Sequence, residues 1–448
     1  MRNIKNSPNN NDSVSDSIIL PDLTQTLKVF LRIGILSFGG PTAQIALMHT
    51  ELVEKQKWLS EAQFLNALSF CMFLPGPEAM QLATYAGWYF HGIKGGLIAG
   101  LLFILPGSIL IFFLASIYAM FGEVSYIQAI FVGIKATVII IVIEALLRIS
   151  KKALKKKFHW AIAGLSFVAF FFFSVPFPVI IIVSAIVGFL TTETTSEIVN
   201  KVGHQIKIPF EKTLHTILIW LFIWLFPLAS LGIFFGTDHV FTQIGFFFSK
   251  LAVVTFGGAY SVLAYMAQEV VQHHQWLSAE EMLDSLGLAE TTNGPLILVN
   301  EFVGYIAAYR FSGLSPILGG FFGALIALWV TFAPCFLWIF AGAPYIESLQ
   351  KLPRVKGALT GVTAAVVGVI LNLTVWFGLH VFFQTVVSLK VGVLTIWSPD
   401  ITTVEWPTVL MSILATLILG KFNIGIGKTI FIMGTLSLIL HLTIFPSL

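Results

Sequence analysis

Apolar residues in this chain run in long blocks, and polar residues fall between the blocks. Residues 97–120, 127–147, 214–236 and 314–340 each reach or approach the ~20 apolar residues that an α-helix needs to cross a bilayer. A membrane β-barrel would instead alternate apolar and polar residues over segments of ~10. The pattern predicts an all-α polytopic membrane protein held in a lipid bilayer. Other apolar stretches are interrupted. Residues 24–48 break at Gly39-Gly40-Pro41, residues 62–90 at Pro75-Gly76-Pro77, and residues 281–309 at Asn293-Gly294-Pro295. Residues 159–190 are split by Pro176 and Pro178, where a tight hairpin is expected.

The interruptions recur. Phe38-Gly39-Gly40 returns as Phe256-Gly257-Gly258, Trp58-Leu59-Ser60 as Trp276-Leu277-Ser278, and Gly76-Pro77 as Gly294-Pro295, all 218 residues on. Met48 and Met266, Glu51 and Glu269, and Arg32 and Lys250 keep the same offset. Further along, Pro106 matches Pro334 and Gly133 matches Gly361 at an offset of 228. The chain therefore reads as a tail (1–22), a first module (23–190), a linker (191–213), a second module (214–398) and a C-terminal membrane hairpin (399–448). The apolar pair in that hairpin, 407–420 and 424–446, has no expected counterpart in the first half. The tail is rich in Asn, Ser and Asp and lacks the apolar core of a signal peptide.

Composition agrees with this class: 57% of residues are hydrophobic, 10% are charged, and mean hydropathy is +0.90. The placement of charge adds more. Loop 51–57 holds Lys55 and Lys57, while 269–275 has no Lys or Arg. Arg148, Lys151, Lys152, Lys155, Lys156 and Lys157 crowd the end of one span, while 376–385 has none. Loop 113–129 has none, while 341–357 holds Lys351, Arg354 and Lys356. Equivalent loops therefore favour opposite sides of the membrane, which predicts inverted-topology repeats, a common build of secondary transporters. The signs fit best if segments 24–48 and 62–90 enter the membrane and return on the same side. The basic cluster abuts a span directly, so it reads as a cytoplasmic loop and not as a nucleic-acid surface.

Candidate chemistry lies at the breaks. A helix that restarts inside the membrane points free N–H groups and a positive dipole end into the protein, and such an end binds anions. Irregular backbone at membrane depth is tolerated only where protein or water covers it. Arg32 and Lys250 lie in apolar stretches at matching positions, where a charge is costly; snorkelling to the interface is the structural alternative. Glu78 and Glu290 flank Gly-Pro breaks and could hold a proton or neutralise a cation. Glu144 and Arg148 have the spacing of an i,i+4 pair. Cys71 and Cys335 read as buried small hydrophobes, and His49, His273 and His274 as solvated loop residues. There is no nucleotide-binding or hydrolase motif, and no cofactor or metal is expected.

At these residues the chain resembles the chromate ion transporter family in its long, two-module form. The resemblance is carried by Ser37-Phe38-Gly39-Gly40-Pro41, by Gln44-Ile45-Ala46-Leu47-Met48-His49, and by Leu74-Pro75-Gly76-Pro77-Glu78-Ala79-Met80-Gln81-Leu82-Ala83-Thr84-Tyr85. In the second half it is carried by Phe256-Gly257-Gly258-Ala259-Tyr260 and by Gly287 through Leu296. The resemblance implies export of chromate across the cytoplasmic membrane of a prokaryote, and chromate resistance. Asn293 stands where the family usually has Pro, which is expected to loosen the second break. Thr50 stands where Arg is frequent, so no anion role passes to it.

The expected protein is a secondary anion transporter working by alternating access. Its expected substrate site combines Arg32, Gly39, Gly40, Gly76, Glu78, Gln81, Lys250, Gly257, Gly258, Glu290 and Gly294. A sulfate-like oxyanion transporter, an importer and an anion channel are the alternatives; a membrane enzyme would need a redox cofactor site. A homodimer is the assembly considered.

Overall fold

The computed structural model describes residues 21–192, 210–256, 258–346, 353–422 and 424–443. Most of the expected tail, the centre of the expected linker, Lys351 and Gly257 lie outside the described residues. The first module comprises α1 (Leu23–Leu36), α2 (Gly40–His49), α3 (Glu61–Cys71), α4 (Glu78–Phe121), α5 (Ser125–Ala153), α6 (Lys157–Phe171) and α7 (Phe177–Thr191). After α8 (Phe210–Phe235) the series repeats as α9 (Val240–Val254), α10 (Ala259–Ala267), α11 (Ala279–Thr291), α12 (Val299–Phe311), α13 (Pro316–Gly342) and α14 (Pro353–Phe382). A hairpin of β1 (Val386–Val391) and β2 (Leu394–Pro399) follows, then α15 (Trp406–Gly420) and α16 (Ile426–Thr443). Six of the described helices are long and apolar enough to cross a membrane.

Local features copy across the repeat. Wide π-type turns span Thr50–Lys55 and Gln268–His273, and Lys57 and Gln275 both take φ +53°. Ser60 and Ser278 each head a reciprocal cap with the side chain three residues on, Gln63 or Glu281.

The broken segments are re-entrant. Helix α4 is itself a hairpin: His91 and Gly92 leave helical geometry, and a Cβ on Gly87 would lie 2.2 Å from the Gly95 carbonyl oxygen. Its arms are α4a (78–90) and α4b (93–121). Gln63 Nε2 donates to Tyr89 Oη at 2.9 Å, and the Phe70 and Tyr85 rings lie 6.3 Å apart. Helix α3 therefore enters and α4a returns beside it, to the same face. Helices of 11 and 13 residues span about half to two-thirds of the ~30 Å hydrocarbon layer at 1.5 Å per residue. In the second module Gly313 at φ +71° turns α12 into α13, Gly304 packs on Gly323, and Arg310 of α12 returns to Glu281 of α11.

The modules face opposite ways. A Cβ on Gly96, at the start of α4b, would meet Phe340 at the end of α13, and one on Gly100 would meet Phe336. These two crossing helices are antiparallel. The first module's hairpins open at the start of α4b, and the second module's at the start of α13, on the other face. Along the chain, Lys28, Lys55, Lys57, Lys94, Arg148 and the following lysines, Arg354 and Lys356 gather on the first of these faces, while the described loops of the other hold Arg310 and Lys390. Cysteines placed at Lys57 and Gln275 are expected to react with impermeant thiol reagents from opposite sides, Lys57 from the cytoplasmic side. Labelling of both from one side would refute the inversion.

The C-terminal hairpin does have a counterpart. Helices α6 and α15 both contain 15 residues, and α6–α7 and α15–α16 start at the same offset, 249 residues. The pairs are exchanged between halves. Helices α6 and α7 pack on α14, where Gly188 meets Gly357 and Gly368 meets Ala163. Helices α15 and α16 pack on α5, where Gly133 meets Met433 and Ser412 Oγ donates to the Ala136 carbonyl at 3.1 Å. Small residues allow these close approaches, the usual means of packing helices in lipid.

Candidate functional site

The four breaks meet at the centre of the molecule and are tied across the modules. The Gly76 amide donates to the Thr255 carbonyl at 2.8 Å, and the Gly294 amide donates to the Ser37 carbonyl at 2.9 Å. The two bonds are repeat equivalents. Each connects one module's second break to the last residues before the other module's first break. Gly39, Gly40, Gly76, Gly258 and Gly294 all have positive φ, between +74° and +121°, which glycine alone adopts without strain. The amides of Gly76 and Gly294 are thus committed to carbonyls. The anion donors available at the breaks belong to the first helical turns beyond them.

Those turns differ from the starts of the helices that lead into the breaks, although α5, α6, α7, α13 and α15 also begin without a side-chain cap. Helices α1, α3, α9 and α11 enter from the membrane faces, and a side chain caps each one: Asp22, Ser60, His239 and Ser278. The four restarts at the centre, at Gly40, Glu78, Ala259 and the short 3₁₀ turn Leu296–Leu298 leading into α12, have no side-chain cap. The polar side chains nearby are bound up with the breaks themselves. Gln44 Nε2 donates to the Gly294 carbonyl at 2.6 Å, and Gln81 Nε2 to the Pro75 carbonyl at 2.7 Å. Both amide oxygens are buried with no hydrogen-bond partner. Asn293 does not loosen its break. Its Nδ2 reaches the Gly34 carbonyl at 3.1 Å and the Ile35 carbonyl at 3.4 Å, at the end of α1 where helical carbonyls lack partners. The Pro75 counterpart could not make such bonds.

The charged candidates are distributed less centrally. Arg32 lies 3.8 Å from buried Glu51, which Lys55 also contacts at 2.8 Å, and its own side chain is 58% exposed. Lys250 holds its ammonium 5.5 Å from the Tyr265 ring centre. Glu290 is buried and accepts from Tyr260 Oη at 2.6 Å, so it stands at the second module's breaks. Glu78 begins α4a, half-buried at the first module's second break. The Glu144–Arg148 pair forms at 2.6 Å, and both cysteines are free and buried.

A cavity of about 1400 Å³ opens on the face away from the basic loops, between α4b, α5, α11, α12 and the α15–α16 hairpin. Lys135 projects into it, with Glu280 at 3.2 Å and Asp284 at 3.6 Å; Tyr118 Oη donates to the other Asp284 oxygen at 2.7 Å. Neither Lys135 nor Asp284 was among the residues expected from the sequence. The signal was present: Lys135 is the eleventh residue of a 29-residue apolar helix whose other cations, Arg148, Lys151 and Lys152, all lie in its last two turns.

These features define a polytopic membrane protein of two inverted, re-entrant modules built around a polar crossing of broken helices. The Chromate transporter family profile matches residues 24–189 and 242–440, and the chain belongs to that family. It is 29% identical to a protein named chromate transport protein in Cupriavidus metallidurans, over 82% of this chain and 86% of the relative. It is 29% identical to a probable chromate transport protein of Synechococcus elongatus, over 80% and 84%. An uncharacterized transporter of Methanocaldococcus jannaschii is 30% identical over 81% of this chain and 86% of its own length. No solved structure matches the chain significantly.

Proposed function

We propose that this protein is a secondary transporter of the cytoplasmic membrane that exports chromate by alternating access and so confers chromate resistance. The observation that supports this most is the convergence of uncapped helix restarts at the crossing, each following a broken segment whose entering helix is capped. Preorganised N–H groups suit a tetrahedral dianion, because hydrogen bonds to an ionised acceptor are about twice as strong as neutral ones. Gly39, Gly40, Gly76, Gly258 and Gly294 shape the backbone there, and Gln44 and Gln81 line it. Arg32 and Lys250 serve in this reading as mouth residues that draw anions towards each module. The names of the relatives support chromate as cargo; sulfate shares its shape and charge. A homodimer is included in the proposal. Its surface would be the exposed Leu23, Leu27 and Leu31 of α1, since α8 packs over the equivalent helix α9, where Leu228 meets Gly245.

The test is flux of labelled chromate into inside-out proteoliposomes, with sulfate in competition and with a potential or a pH gradient imposed in turn. Saturable chromate uptake is expected. No uptake of either anion would overturn the reading, and conductance far beyond transporter turnover would make the protein a channel. In the same assay Glu78→Gln is expected to keep uptake but to remove its response to the pH gradient. Glu78 has no carboxylate counterpart, its equivalent being Leu296, and coupling to a second ion requires such an asymmetry. An unchanged response in the variant would leave Glu290, or a potential-driven uniport.

A further inference from the structure

We propose that Lys135 is a second anion station, receiving the transported oxyanion in the cavity after it leaves the crossing and before release. The proposal rests on the oxyanion-transport reading above and names a residue for its exit half. Three observations lead to it. First, among the described residues Lys135 is the one lysine or arginine placed in the interior of a full crossing helix; the others on such helices sit near the ends. An intramembrane cation is costly and by default marks an ion path. Second, its side chain is only 17% exposed, yet it lines a cavity large enough for a hydrated anion. Third, its partners are arranged to let go. Glu280 is largely exposed and can turn to water. Asp284 is clamped on one oxygen by Tyr118, and its other oxygen, buried, has no hydrogen bond and only the 3.6 Å approach of Lys135.

The chemistry follows from these positions. An oxyanion arriving along α11 would take the place of the carboxylates at the Lys135 ammonium, and Glu280 would swing outward. The pocket is acidic on balance, since Glu123, Glu280, Glu281, Asp284 and Glu405 line it with only Lys135 and Arg310 as cations. A dianion is therefore held weakly there, and its stay at the station is short. The station also exists in one half only. The positions equivalent to Asp284 and Lys135 are Asn66 and Thr363, so the opposite mouth lacks it.

The experiment uses the full chain in proteoliposomes. Lys135→Gln is expected to lower chromate or sulfate flux by about tenfold or more, the loss of one charge-assisted hydrogen bond. Lys135→Arg is expected to retain most of it. Lys135→Cys is expected to be inactive, to regain flux when 2-aminoethyl methanethiosulfonate attaches an aminoethylthio group to it through a disulfide, and to stay inactive with the neutral methyl reagent. The decisive variant is the double change Lys135→Gln with Asp284→Asn. A merely structural ion pair predicts that neutralising both partners restores flux, and that result would overturn the proposal; an anion station predicts continued loss. Normal flux through Lys135→Gln would also overturn it while leaving the transport reading intact, whereas a wild-type protein that moves neither anion would remove both.

Discussion

Gly107→Ala is expected to abolish transport and to lower the unfolding temperature of the purified protein, although alanine is the better helix former by about 1 kcal/mol. Gly107 lies in the second arm of α4, directly after Pro106, and faces the second module's break. A Cβ there would sit 2.0 Å from the Asn293 carbonyl oxygen and 2.7 Å from Leu298 Cδ1. The first of these neighbours is backbone, so it cannot rotate away. Either α4b or the Asn293-Gly294 turn must shift, and that shift would strain the 2.9 Å bond from the Gly294 amide to Ser37. Overpacking of this kind costs about 1–3 kcal/mol even without broken hydrogen bonds. The repeat equivalent of Gly107 is Cys335, whose Sγ lies against Gly76 at the other break. The two halves thus use the same contact with different clearance, and Gly107→Cys should fail as well. Gly164→Ala is the control, since a Cβ there meets nothing within 4 Å, and it should be neutral or mildly stabilising. Thermal unfolding in detergent and oxyanion flux measure both variants. A Gly107→Ala protein with normal stability and flux would show that the crossing is not tightly packed.

The sequence reveals some of this architecture and hides the rest for identifiable reasons. The duplication was legible because glycine and proline are needed at backbone positions with special φ, and such residues keep their spacing. Inversion was legible because lysine and arginine concentrate on one face, and re-entry followed from making the charges agree. The exchange of hairpins between halves was not legible. Helices α6 and α15 are matched by length and packing, while apolar side chains in lipid carry no pairing code. The bonds that tie the modules, from Gly76 to Thr255 and from Gly294 to Ser37, join backbone to backbone, so no residue type announces them. Asn293 shows a different limit. Read alone it weakens a proline-defined turn; with α1 beside it, the same side chain supplies donors to a helix end. Arg32 and Lys250 were conspicuous as matched cations, yet Arg32 is largely exposed and lies beside buried Glu51. Lys135 has no match in the other half, and a search by repetition passes over it for that reason.

A disulfide between cysteines at Ser69 and Val362 is expected to stop transport, and reduction is expected to restore it. The reason lies in one helix face seen twice. On α11, Leu283, Asp284, Gly287 and Glu290 are buried, and Gly287 packs against Ile134 of α5. Their equivalents on α3 are Leu65, Asn66, Ser69 and Met72, and that face is exposed, with Met72 at 55% against 7% for Glu290. The second module's re-entrant helices are therefore docked, α11 on α5 and α10 on α14, while α3 packs chiefly on α4. Inverted repeats in unlike conformations are what alternating access demands: exchanging the two conformations converts one state into the other. In such an exchanged state α3 would dock on α14, where the repeat equivalent of Gly287 against Ile134 is Ser69 against Val362. The cross-link would trap that state. It should form faster during turnover than in resting vesicles, because turnover populates the exchanged state. A pair at Ser69 and Gly164 serves as the control for chance collisions. If the Ser69–Val362 pair never cross-links under turnover while wild-type flux is intact, the exposed face of α3 belongs to lipid or to a second copy of the chain, and access must alternate by another movement.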